Sequence, residues 1–290
     1  MSIKLEELSH SYDAGSVMEK KALDHIDLEI EKGEFVGLIG HTGSGKSTLI
    51  QHMNGLLAPT EGRVLFDGED IARKKKGKEL RRKVGLVFQY PEYQLFEATV
   101  RKDVAFGPKN LGLPKEEVDR RTEQALRAVG LAEEAWDASP FDLSGGQKRR
   151  AAIAGILAMG PEYLILDEPT AGLDPAGRKD ILDTVARLHR EEGLAVVLVS
   201  HSMDDVAEYV DRVIAMAKGR ILLDGPVREV FAEEETLRSV GLSVPQATRL
   251  AKELGLPGTV LTLDELEQAL TESGLLGRFA PEEKTGGEPR

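Results

Sequence analysis

The stretch Gly40-His41-Thr42-Gly43-Ser44-Gly45-Lys46-Ser47-Thr48 decides the fold class of this chain. It follows Phe35-Val36-Gly37-Leu38-Ile39, a short apolar run that reads as a buried strand, and it precedes Leu49 to Leu57, which reads as a helix. A strand, a glycine-rich loop and a helix in that order are the context a phosphate-binding loop requires. Gly40, Gly43 and Gly45 let several backbone N–H groups converge on phosphate oxygens, and the helix N-terminus adds its positive dipole end. Lys46 is placed to reach the β- and γ-phosphates, and the Ser47 hydroxyl to ligate Mg²⁺.

A second element, Tyr163-Leu164-Ile165-Leu166-Asp167-Glu168, is an apolar strand ending in two carboxylates. Asp167 is expected to hold Mg²⁺ directly or through water, and Glu168 to orient and polarise an attacking water. The second carboxylate favours hydrolysis over phosphoryl transfer to an acceptor. The pentapeptide Leu143-Ser144-Gly145-Gly146-Gln147 has no use in a phosphate-loop kinase.

Together these motifs resemble the nucleotide-binding domain of ATP-binding cassette (ABC) proteins, over residues 3 to about 225. The resemblance implies that Tyr12 stacks on adenine and that Gln89 joins Mg²⁺ to a transmembrane partner. It also implies that Ala171-Gly172-Leu173-Asp174 crosses a dimer interface, and that His201, after Ala195 to Ser200, is a switch histidine near the γ-phosphate. One phosphate loop and one signature per chain imply sites assembled between two chains, identical or paralogous, with Leu143 to Gln147 of one acting on the ATP of the other.

The text around the motifs narrows the resemblance. The loop continuing into Leu49-Ile50-Gln51-His52, the run Val87-Phe88-Gln89-Tyr90-Pro91-Glu92-Tyr93-Gln94-Leu95-Phe96, Ala105 to Asn110, and Lys148 to Met159 are similar to energy-coupling factor (ECF) transporter ATPases. The His-Thr pair in the loop is similar to the second of their two paralogues. That implies an ATPase subunit of an importer of vitamins or transition-metal ions, working at the cytoplasmic face of the membrane. A transmembrane scaffold and, through it, a substrate-binding membrane subunit are the implied partners. An ordinary ABC importer for another solute is the alternative; a soluble ABC ATPase acting on nucleic acid or ribosomes is a further one.

The formal net charge of −12 argues against a general nucleic-acid binder. No apolar stretch approaches the length of about 20 residues that crosses a bilayer. The chain has no cysteine, which excludes disulfides and thiolate metal sites. The basic run from Arg73 to Lys83 reads as a solvated loop and helix face, with contact to a partner or to lipid headgroups as the alternative.

Segments Ile26 to Ile30 and Arg63 to Phe66 alternate like half-buried strands, whereas residues 35–39, 163–166 and 195–199 read as fully buried ones. The expected fold is α/β: a P-loop NTPase core with a mainly parallel sheet, an N-terminal antiparallel β subdomain, and a helical subdomain at about residues 90–160 that includes a helix over Lys115 to Val129. With the ATPase domain ending near residue 225, residues 226–280 form a small helical extension. One helix spans the apolar positions Val244 to Leu254, and a second is opened by the capping box Thr262-Leu263-Asp264-Glu265. Residues 281–290 read as a disordered tail.

Overall fold

The computed structural model describes residues 1–71 and 76–275, except for the side chains of residues 76–79. Residues 73–75 of the basic run and the whole 281–290 tail lie outside the described residues.

The N-terminal half contains β1 (Ser2–Tyr12), β2 (Lys20–Glu31), β3 (Phe35–Gly40), α1 (Lys46–Met53), β4 (Glu61–Phe66), β5 (Glu69–Asp70), α2 (Lys76–Lys83) and β6 (Val84–Val87). A mainly helical segment follows: α3 (Val100–Asn110), α4 (Lys115–Ala128) and α5 (Gly145–Leu157). The chain then alternates through β7 (Tyr163–Asp167), α6 (Pro175–Glu192), β8 (Ala195–Val199), α7 (Met203–Tyr209), β9 (Arg212–Ala217) and β10 (Arg220–Pro226). It continues through α8 (Val227–Ala232), α9 (Glu234–Ser239), α10 (Gln246–Glu253) and α11 (Leu263–Glu272).

Two sheets result. The antiparallel one runs β2-β1-β4-β5, and the six-stranded one runs β10-β9-β3-β8-β7-β6, parallel except for β10. Its central strands are apolar at every position but the terminal Asp167 of β7 because both faces are covered. Leu164, Leu166, Val196 and Leu198 join the core shared with α3 to α7, while Tyr163, Ile165, Val197 and Val199 pack with α1 and the antiparallel sheet. The β9–β10 hairpin, which the sequence reading does not mark, extends the large sheet beyond β3.

Helix α1 is shorter at its C-terminal end than Leu49 to Leu57 suggests. Gly55 adopts φ 71°, and the N–H groups of Gly55 and Leu56 bond back to His52 and Gln51, closing the helix after Met53. The Asn54 side chain then donates to the Val84 carbonyl, tying this turn to β6.

His52, on the same helix, is fully buried beside His10, with ring centroids 4.7 Å apart. Burial, reinforced by His10, pushes its pKa down to about 4. In the unfolded chain the ring titrates near 6.5, so the stability from keeping it neutral is complete above that pH and drains as pH falls towards 4. The loss is on the order of 3 kcal/mol. His52→Leu is expected to flatten the acid limb of denaturant stability between pH 6.5 and 4; parallel limbs for the two proteins would show that His52 does not set it.

After β10, α8 packs on the sheet, while α10 and α11 enclose a small core of Ala247, Ala251, Leu256, Val260 and Leu266. The Gln246 backbone N–H and side-chain amide both donate to Asp204, attaching α10 to the start of α7. Thr262 caps α11 by accepting from the Glu265 N–H, but the capping box is not closed. The Glu265 carboxylate accepts instead from the Leu261 N–H, one residue before the cap, and from the Arg228 guanidinium of α8, a charge-assisted bond that holds it in that position.

Candidate functional site

Strands β3, β8, β7 and β6 are parallel, so their C-terminal ends lie along one edge of the sheet. Residues distant in sequence follow those ends: Gly40 after β3, His201 after β8, Asp167 and Glu168 at β7, and Gln89 after β6. That edge is where open α/β sheets hold their ligands.

The loop from Gly40 to Gly45 wraps back on itself and delivers the chain into α1. Gly45 has φ 106°, and a Cβ there would come within 2.7 Å of the Ala22 carbonyl oxygen, so only glycine permits this entry. Lys46 is 6% exposed; its Nζ donates to the Gly40 carbonyl at 2.6 Å and to that of His41 at 3.3 Å. Burial pushes the Lys46 pKa down, and the charges of Glu168 and Asp167 oppose that shift. Ser44 is buried, Thr42, Gly43 and Ser47 are exposed, and the His41 Nδ1 bonds the Thr42 carbonyl. Tyr12 stands beside this loop, half-exposed, with its hydroxyl 3.1 Å from Thr48 Oγ1 and its ring edge-on to His10.

Glu168 is the meeting point of the site. Gln89 Nε2 donates to its Oε2 at 2.8 Å, and His201 Nε2 lies 2.7 Å from its Oε1. The residue itself sits at φ 50°, in the left-handed region where a non-glycine residue is strained, and its N–H is tied to the Val199 carbonyl of β8 at 3.0 Å. This strain carries no sequence signal, since glutamate is ordinary in either conformation by composition. Tyr90, immediately after Gln89, is also left-handed at φ 54°.

Asp167 lies 3.5 Å from Ser47 Oγ, at the edge of hydrogen bonding. Burial raises its pKa, the neighbouring Glu168 charge adds to the rise, and Lys46 opposes it. The Ser47 hydroxyl, the Asp167 carboxylate and the Gln89 amide oxygen are hard oxygen donors. Two adjacent carboxylates held against burial also favour a divalent cation. The set therefore fits Mg²⁺.

The pentapeptide Leu143 to Gln147 forms the entrance to α5. The Ser144 Oγ accepts from the Gln147 N–H at 3.3 Å, and the Gln147 side chain accepts from the Ser144 N–H at 2.9 Å, a closed capping box. The first-turn N–H groups of Gly145 and Gly146 have no carbonyl within the helix to bond, and a Cβ at either glycine would meet nothing within 4 Å. This leaves an open helix N-terminus, a geometry that suits an anion. Asp174, at the end of the Ala171 loop, caps α6 by accepting from the Gly177 N–H at 2.7 Å.

Sequence reading missed Arg149. It is 1% exposed, and its guanidinium pairs with Glu92. The available signal is helical spacing: among the three cations from Lys148 to Arg150, Arg149 lies four residues before the buried Ile153 and so shares its inward face.

The family model of the ABC transporter matches residues 23–171. A relative from Clostridium perfringens (strain 13 / Type A), the energy-coupling factor transporter ATP-binding protein EcfA2, is 57% identical over 279 residues, covering 94% of this chain and 98% of its own. The protein of the same name from Symbiobacterium thermophilum is 56% identical, covering 93% of this chain and 96% of its own. The solved structure of cbiO1 from Clostridium perfringens, described as part of the ABC transporter complex cbiONQ, is similar with a TM-score of 0.74 at 42% identity, covering 88% of this chain and 98% of that one. A dimeric post-hydrolysis structure of the ATP-binding cassette MJ0796, bound to ADP and Pi, is similar with a TM-score of 0.69 at 31% identity, covering 78% of this chain and 99% of that one. This chain belongs to the ATPases of the ABC transporter family, in their energy-coupling factor branch.

Proposed function

We propose that the chain is the ATP-hydrolysing subunit that energises an ECF-type importer of vitamins or transition-metal ions, attached to the cytoplasmic face of the membrane through its partners. The observation that carries this reading is the convergence of Gln89 and His201 on Glu168 beside the phosphate loop. The relatives' names point the same way. Among the described residues, no helix is long and apolar enough to cross a membrane.

The N–H groups from Gly40 to Thr48 and the Lys46 ammonium bind the ATP phosphates, while Tyr12 stacks on the adenine. Lys46 exchanges its loop carbonyls for phosphate oxygens. Ser47, Asp167 and Gln89 would hold Mg²⁺, which would supply charge compensation for the phosphates. Glu168 accepts a hydrogen bond from the attacking water and orients it for in-line attack, and His201 steadies the carboxylate and the γ-phosphate. A second cassette, identical or paralogous, closes the site with the open end of its signature helix, and its Asp174 loop crosses the interface. Hydrolysis removes the γ-phosphate that both chains grip, so the closed dimer loses its advantage over the open one.

Beside the segment that follows Gln89 lies an apolar cleft of about 380 Å³, lined by Leu95, Phe96, Phe106, Asn110 and Met159 among others. Phe96 and Phe106 are about half-exposed and meet edge to face at 4.9 Å. The cleft suits short helices of the membrane scaffold, with Gln89 relaying their position to the nucleotide. Purified from its native membrane through a tag on this chain, the complex is expected to contain such a scaffold. In vesicles, Gln89→Ala is expected to lower solute uptake per ATP consumed severalfold with nucleotide affinity little changed. Normal coupling in that variant, or no membrane partner in the preparation, would contradict the reading.

A further inference from the structure

Arg149 uses every donor of its guanidinium. Nη2 donates to Glu92 Oε1 at 2.8 Å and to Oε2 at 3.0 Å, and Nε donates to Oε2 at 3.2 Å. Nη1 donates to the carbonyls of Pro169 at 2.6 Å and Ala171 at 2.9 Å.

Three separate parts of the site end on this one side chain. Glu92 stands three residues beyond Gln89, in the 3-10 turn Pro91–Gln94 that the left-handed Tyr90 introduces. That turn opens onto the apolar cleft, whose lining begins at Gln94. Pro169 follows the strained Glu168 directly, and Ala171 opens the loop that runs to Asp174. Arg149 itself rides on α5, whose first turn is the signature.

We propose that Arg149 is a positioning residue: it ties the backbone that follows Glu168 and the segment after Gln89 to the signature helix, so that a partner displacing residues 91–96 also shifts the hydrolytic centre. The inference rests on the proposed role of Glu168 in organising the attacking water. A buried guanidinium cannot leave Glu92 without stranding charge on both, so the segments it joins move together. Holding the Pro169 carbonyl also restrains the unfavourable backbone angle of Glu168, which persists only where its surroundings over-determine it. Lysine keeps the charge but concentrates its donors at one point on a flexible stem. It cannot span Glu92 and both carbonyls.

The test compares Arg149→Lys, Glu92→Gln and Glu168→Gln in the purified transporter complex, measuring affinity for a fluorescent ATP analogue, kcat, KM and the melting temperature. Arg149→Lys is expected to bind nucleotide within twofold of the unaltered complex, keep KM, and lose at least tenfold in kcat. Glu92→Gln, whose amide oxygen still accepts, is expected to lose about threefold in kcat, and it decides the matter if Arg149→Lys fails to fold. A lowered melting temperature with unaltered kcat in the folded variants would reduce Arg149 to a structural tie and overturn the proposal. Full turnover in Glu168→Gln would remove the reading on which it rests; loss there with normal kcat in both other variants would remove this inference alone.

Discussion

Glu168→Gln is expected to bind Mg-ATP as the unaltered chain does and to lose turnover by at least about a hundredfold, the low end of what a positioned general base contributes. The amide keeps the size of the carboxylate, and its oxygen still accepts from Gln89 Nε2, the 2.8 Å bond of the structure. It loses the negative charge that draws a proton from water. The phosphate loop and Lys46 are untouched, so affinity stays. Without hydrolysis the γ-phosphate remains in both chains' grip, and the variant should accumulate as an ATP-stabilised dimer on size exclusion. An undiminished hydrolysis rate would show that Glu168 does not organise the nucleophile.

Mixing two inactive variants is expected to restore activity. Lys46→Ala removes the buried cation of the loop. Ser144→Arg breaks the capping box and places a long side chain where the helix end now faces open space. If this chain pairs with itself, each homodimer carries two damaged sites. In a mixed dimer one site takes both lesions, and the other joins the intact loop of one chain to the intact signature of its partner. With free exchange, about half the dimers are mixed and one site in two works, giving about a quarter of the unaltered rate. Sites that must fire together would lower that figure, so ATP-dependent dimerisation is measured alongside. Full activity of either variant alone would end the shared-site reading. An inactive mixture would instead point to a paralogue as the second cassette.

Several local features could be read from the sequence before any coordinates. The buried strands β3, β7 and β8 announce themselves as apolar runs because a strand covered on both faces is apolar along its covered length, β7 departing from this only at its terminal Asp167. The cap at Thr262 was legible, but its capping box was not. Thr262 meets Glu265 through neighbouring backbone, whereas the Glu265 carboxylate chose Arg228, far away in sequence. The C-terminal end of α1 departs from the sequence pattern for a related reason. Leu56 and Leu57 continue the apolar pattern, but Gly55 in a left-handed turn and the bond from Asn54 to Val84 end the helix first.

The sequence alone determined the strand, phosphate loop and helix, the paired carboxylates and the signature pentapeptide, because each depends on residues adjacent in the chain and on conformations their types permit. The resemblance these motifs carry placed Gln89 and His201 near the nucleotide. Only the tertiary structure decided that both bond the same carboxylate, that Glu168 is held in a strained conformation, and that Arg149 joins Glu92 to the loop beyond Glu168. Those contacts arise where β6, β7 and β8 end side by side. Strand order is set by packing across the whole sheet, and no local run of residues encodes it.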